Sequence, residues 1–159
     1  TQEILEPNGN LREDYELLGL HKDASGHVIS VATGTGIELT QQDVRELQLA
    51  KSALCAGLEA LMSYADVDAA ALGRVYIAGG LGYYIDIANA VRIGLLPQEL
   101  KQKAVTVGNT ALFGAVSALG SQEALRQMEE IAKSCETVEL SQSEVFQRKF
   151  IEHMRFPEQ

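Results

Sequence analysis

Few residues in this chain have the type and spacing to do chemistry, and the most telling group is glycine. Val75-Tyr-Ile-Ala78, a short β-branched and aromatic run, leads directly into Gly79-Gly80-Leu81-Gly82. A buried strand that ends in closely spaced glycines brings bare backbone to the carboxyl edge of a sheet, where open α/β sheets bind their ligands. Lacking Cβ atoms, such a main chain admits a purine or a phosphate to its N–H groups, and a helix start just beyond adds partial positive charge. Gly79, Gly80 and Gly82 are the candidate nucleotide contacts. Glycines after a strand also make a plain tight turn, and the residues alone leave both readings open. The spacing is not the dinucleotide-binding fingerprint, and no Gly-Lys-Ser/Thr follows as in a Walker loop. Tyr83 and Tyr84 come next, placed either to stack on a base or to pack one helix end.

Other chemistry has less support. His21, His27 and His153 share no ligand spacing with one another or with Cys55 and Cys135, so no metal site is expected. Each cysteine sits in an apolar or helical pattern and reads as a buried, reduced thiol. Two cysteines cannot supply four thiolates to an iron–sulfur cluster.

The glycines need a sheet and helices to hold them. Asp14–Leu20 and His27–Val31, separated by a polar stretch ending in Gly26, predict an amino-terminal β-hairpin, and residues 1–13 read as a loop or a cut end. Thr40 and Asp43 form a helix-start signal in which Asp43 serves either as a cap or, beside a nucleotide, as an acid that orients a metal-bound water. A long helix over residues 40–64 follows, with Val44, Leu47, Leu54, Leu58, Leu61 and Met62 as its buried stripe and Arg45, Glu46, Gln48 and Ser52 on the opposite face. Arg74–Ala78 predicts a strand buried on both faces, and Ile85–Ile93 a helix stopped by Gly94 and Pro97. Ala104–Val107 predicts a second strand, Gly108-Asn109 its turn, and residues 110–119 an Ala-rich helix. Ser121 caps a further helix to about Lys133, Thr137–Leu140 is a short strand, and Ser141 with Glu144 opens a final helix. Phe146, Phe150, Met154 and Phe156 are assigned to packing. The fold class is α/β, one domain over residues 1–159, with a mixed sheet flanked by helices.

The totals agree with this. Across 159 residues, 46% are hydrophobic, enough for one substantial core. A net charge of −9 and a pI near 4.8 oppose attraction to nucleic acid. No apolar run approaches the roughly 20 residues of a membrane span and no secretory leader pattern opens the chain, so a soluble, cytoplasmic protein is expected.

Ile77-Ala-Gly-Gly-Leu81 is similar to the adenosine-binding motif of the superfamily that joins actin, the sugar and acetate kinases and the seventy-kilodalton heat-shock chaperones. Gly108-Asn-Thr-Ala-Leu-Phe-Gly-Ala115 resembles the small-residue helix that follows it there. Segment 39–53, the glycine loop, Ile93–Pro97, the Gly108 segment and Phe146–Pro157, in that order, resemble the carboxyl-terminal part of the reductive activators of corrinoid proteins. The resemblance implies an actin-like ATPase (ribonuclease H-like) half-domain that binds ATP or ADP, with or without Mg, in an activator returning cob(II)alamin to cob(I)alamin in an anaerobic methyltransferase system. It implies a corrinoid protein as partner and a two-iron two-sulfur cluster in the parent protein, outside this chain. Likeness to the chaperone branch carries base or ribose contacts to Gln48 and Lys51, which by composition alone read as a solvated helix face. A homodimer is a further expectation. Two other readings stand beside this one: a small-molecule kinase of the same superfamily, for which no general-base aspartate in a glycine-flanked loop is found, and a non-catalytic interaction domain with a structural Gly79-Gly80 turn.

Overall fold

The computed structural model describes residues 4–12, 20–23, 26–32 and 36–158. The hairpin forms as strands β1 (Leu20–Asp23) and β2 (Gly26–Ala32), paired antiparallel from Leu20↔Ile29 to Asp23↔Gly26. Its first strand thus runs through the polar His21-Lys22-Asp23 segment, where backbone pairing rather than side-chain apolarity extends the ladder. The remainder of the predicted first strand, residues 14–19, lies outside the described residues. A third strand, β3 (Ile37–Thr40), pairs with β2; it is too short to show a periodicity of its own.

Thr40 ends β3 with extended backbone and in the same step caps helix α1 (Gln41–Tyr64). Its Oγ1 accepts from the Asp43 N–H at 3.1 Å, and the Asp43 carboxylate accepts the Thr40 N–H at 2.7 Å. This capping box is the one expected. The buried face of α1 is not. Val44, Gln48, Lys51, Ser52, Cys55, Ala56, Gly57 and Ala60 are buried, whereas Leu47, Leu54 and Leu61 are exposed. The predicted stripe is rotated because α6 (Glu144–Glu152) and the chain after it lie on α1 and offer backbone carbonyls that satisfy its polar side chains.

Strand β4 (Val75–Ala78) runs directly into the six-residue helix α2 (Gly79–Tyr84), then α3 (Ile87–Arg92), and a 3₁₀ turn at Gln98–Leu100 leads toward β5 (Ala104–Gly108). β4 and β5 pair in parallel, with a register shift between Ile77 and Ala78. Two corrections arise here. β4 is not buried on both faces, since Tyr76 is 61% exposed, and the predicted helix at Ile85 begins at Ile87 because Asp86 caps it, accepting the Asn89 N–H at 2.7 Å. α3 ends, as expected, at a positive-φ Gly94.

Helices α4 (Thr110–Gly120) and α5 (Gln122–Ser134) form a hairpin, with Ser121 capping α5. Thr137–Leu140 is not a strand; it is irregular and leads into a 3₁₀ turn at Leu140–Gln142, and no described strand pairs with it. The cap of α6 is Ser143, whose Oγ accepts the Phe146 N–H at 3.2 Å, while Ser141 bonds to Glu139. The expected Ser141/Glu144 box is therefore displaced by two residues.

Among the described residues, two apolar clusters form the core. One joins Leu11, Val44 and Phe156, with Ile4 and Leu5 packed on it, so part of the expected amino-terminal loop is anchored. The other joins Ala90, Val91, Leu95 and Leu96 with Leu58 and Ile77 around it. No helix among the described residues is long and apolar enough to cross a membrane.

Candidate functional site

Parallel pairing sets the carboxyl ends of β4 and β5 side by side, β4 followed by Gly79 and β5 ending in Gly108. Gly79 and Gly108 both take positive φ, +86° and +66°, which glycine adopts at little cost. A Cβ built at Gly79 or Gly80 meets nothing within 4 Å. The main chain there is open to a ligand, as a nucleotide contact requires. Gly82 differs: it is buried, and a Cβ on it would collide with the Ile77 carbonyl group, so its lack of a side chain serves the close return of α2 onto β4. The Tyr83 ring lies beside Gly108, 3.4 Å from where a Cβ would stand, and packs edge-on against Tyr84 with ring centroids 5.0 Å apart. Both tyrosines remain exposed rather than filling a helix end. Asn109 caps α4, accepting the Leu112 N–H at 3.1 Å.

Gln48 and Lys51 are brought to a different place. Gln48, 2% exposed, donates from Nε2 to the Asn8 carbonyl at 3.0 Å and the Met154 carbonyl at 2.7 Å, and its Oε1 accepts from Arg45. Lys51, fully buried, donates to the carbonyls of His153 and Arg155 and sits 5.0 Å from the centroid of the Phe156 ring. Burial pushes the Lys51 ammonium below the usual lysine range. The solvated-face reading of these two residues is thereby corrected: carbonyls at the end of α6 and beyond replace water around them. Their hydrogen-bonding groups are committed to holding residues 8 and 153–155 against α1. Asp43 is a cap, its carboxyl held below the usual range by hydrogen bonds from the Thr40 hydroxyl and then the Thr40 N–H.

The expectation for the cysteines holds for one of them. Cys55 is buried and Cys135, at the end of α5, is exposed; neither is in a disulfide. One grouping runs against the sequence expectation, which gave His153 no ligand spacing with Cys55. Cys55 and Glu59, one turn apart on α1, and His153, at the end of α6, bring their ligand atoms within 4.8 Å of one another. Helical spacing of Cys55 and Glu59 was readable in the sequence, but the pairing of α1 with α6 that delivers His153 was not.

The whole chain, residues 1–159, matches the family described as the C-terminal domain of RACo, the ASKHA domain. A corrinoid activation enzyme, RamQ, of Eubacterium limosum is 41% identical over 90 residues, which are 57% of this chain and 15% of that protein. The [Co(II) methylated amine-specific corrinoid protein] reductase of Methanosarcina barkeri is 32% identical over 120 residues, 74% of this chain and 22% of that protein. Among solved structures, a reductive activator for corrinoid, iron–sulfur protein superposes with a TM-score of 0.89 at 32% identity, covering 97% of this chain and 26% of that one. The chain thus spans about a quarter or less of the length of these relatives. On a match that runs its full length, the chain belongs to the family of C-terminal ASKHA domains of reductive activators of corrinoid proteins.

Proposed function

We propose that this chain is the nucleotide-binding part of an ATP-dependent reductive activator that restores cob(II)alamin to cob(I)alamin on a partner corrinoid protein in a methyltransferase system. The observation that carries the reading is the open main chain at Gly79 and Gly80, on the carboxyl edge of the β4–β5 pair and beside the second glycine turn at Gly108. Crevices at this edge are where α/β sheets take nucleotides. Support comes from the family and from relatives whose names describe corrinoid activation and corrinoid-protein reduction.

The residues fit a nucleotide and do not fit an electron-carrying cluster. Two free cysteines, one in the body of α1 and one at the end of α5, are no four-thiolate set. The electron that reduces cobalt is accordingly assigned to a two-iron two-sulfur centre elsewhere in the parent protein, and this chain to nucleotide-state control. Such control requires that the corrinoid partner bind the ATP and ADP states with different affinity, since equal affinity shifts no population.

Gly80→Leu tests the reading. Its side chain enters open space and its φ lies outside the left-handed region, so folding should be unaffected, within about 0.5 kcal/mol. Installed in the full-length activator, the variant is expected to lose adenine-nucleotide binding by calorimetry and the nucleotide dependence of cob(I)alamin formation followed optically. Nucleotide binding and activation equal to those of the unmodified protein would refute it.

A further inference from the structure

The grouping of Cys55, Glu59 and His153 belongs to neither the glycine edge nor either apolar cluster, with Cys55 buried and Glu59 and His153 part-buried. Cys55 and Glu59 project from successive turns of α1, and His153 caps the carboxyl end of α6. His153 Nε2 lies 3.0 Å from Glu59 Oε1, and all three ligand atoms fall within 4.8 Å of one another. Ligand atoms around a tetrahedral zinc ion stand roughly 3.3–3.8 Å apart, so side-chain rotations suffice to close the set. The surroundings hold these donors in place. Lys149 Nζ takes the other Glu59 oxygen at 3.1 Å, which leaves Oε1 turned toward the histidine, and Lys51 binds the backbone carbonyl of His153. All three residues line a cavity of about 720 Å³, together with Asn89, Arg92 and Glu99 among others.

We infer that Cys55, Glu59 and His153 form a binding site for a thiophilic divalent cation, zinc or cobalt(II), with its fourth position open to that cavity. Thiolate, imidazole and carboxylate together suit these ions, whereas magnesium and calcium demand oxygen donors throughout. Binding exchanges the thiol proton for the metal, the proton leaving to solvent and the new bond forming between sulfur and the cation. The competing account is a metal-free ionic tie between α1 and α6 made by Glu59, Lys149 and His153. It predicts no sulfur–metal bond.

The test uses the full chain carrying Cys135→Ser, stripped with chelator and titrated anaerobically with cobalt(II). One cobalt per chain is expected, with a near-ultraviolet thiolate-to-cobalt charge-transfer band that zinc abolishes by displacement. Cys55→Ala should remove the band, and His153→Gln should weaken cobalt binding at least about tenfold, the lower end of what loss of an outer partner alone costs. His153 is only partly buried, so its variant gives the result if Cys55→Ala does not fold. Absence of the band at saturating cobalt, its survival in Cys55→Ala, or unchanged affinity in His153→Gln each overturns the site.

Discussion

At the residue scale, identical residue types do different work according to what approaches them. Gly79 and Gly80 face open space, but Gly82 is pressed against the Ile77 carbonyl group. Gly82→Ala should therefore destabilise the chain by about 1–3 kcal/mol through overpacking, measured as a shift in urea midpoint, whereas Gly80→Leu should not. Lys51 shows the same dependence on context. Its ammonium is the donor to two backbone carbonyls, and Lys51→Met leaves both without it, at a cost of about 1–3 kcal/mol in urea unfolding. Glycine spacing was legible in the sequence, but the division of labour among the three glycines was not, because it depends on how closely α2 returns to the end of β4.

At the element scale, the capping signals were the most readable part of the chain. Thr40 and Asp43 start α1 as forecast, since a capping box is a contact among residues three apart. Thr40→Ala should cost about 1 kcal/mol in urea unfolding. Asp43 adds a pH dependence of known sign. Its carboxyl is held below the ordinary aspartate value of 3.8 by Thr40, so its contribution is present above that value and is lost as pH falls through the lower, folded-state pKa. The difference in urea midpoint between the parent chain and Asp43→Asn should accordingly narrow below about pH 3.8. Which face of α1 is buried was misread for the opposite reason. Leu47, Leu54 and Leu61 are apolar but exposed, while Gln48 and Lys51 are polar but bond to carbonyls just after α6, and Ser52 bonds to the Gln48 carbonyl of its own helix. Periodicity records apolarity and cannot record a carbonyl supplied from a hundred residues away. The absent Thr137–Leu140 strand follows the same rule, for a short run becomes a strand only beside a partner.

At the scale of the whole molecule, the apolar surface is unevenly covered. α4 buries none of its residues, and Leu112, Phe113, Val116 and Leu119 are exposed, Leu119 by 90%. Replacing Phe113 and Leu119 together by lysine should raise the solubility of the isolated chain in a sedimentation assay and leave its stability to urea within about 1 kcal/mol, because both side chains are largely exposed. The sequence by itself determined the α/β class, the long capped helix, the two strands that end in glycine and, through five ordered blocks, the family. Each of these is written in contacts between near neighbours or in motif order. Only the tertiary structure decided that the two glycine turns share one edge, that Gln48 and Lys51 tie down the residues following α6, and that His153 meets Cys55 and Glu59. Those are meetings between residues distant in the chain, and a single sequence carries their chemistry without carrying their distance.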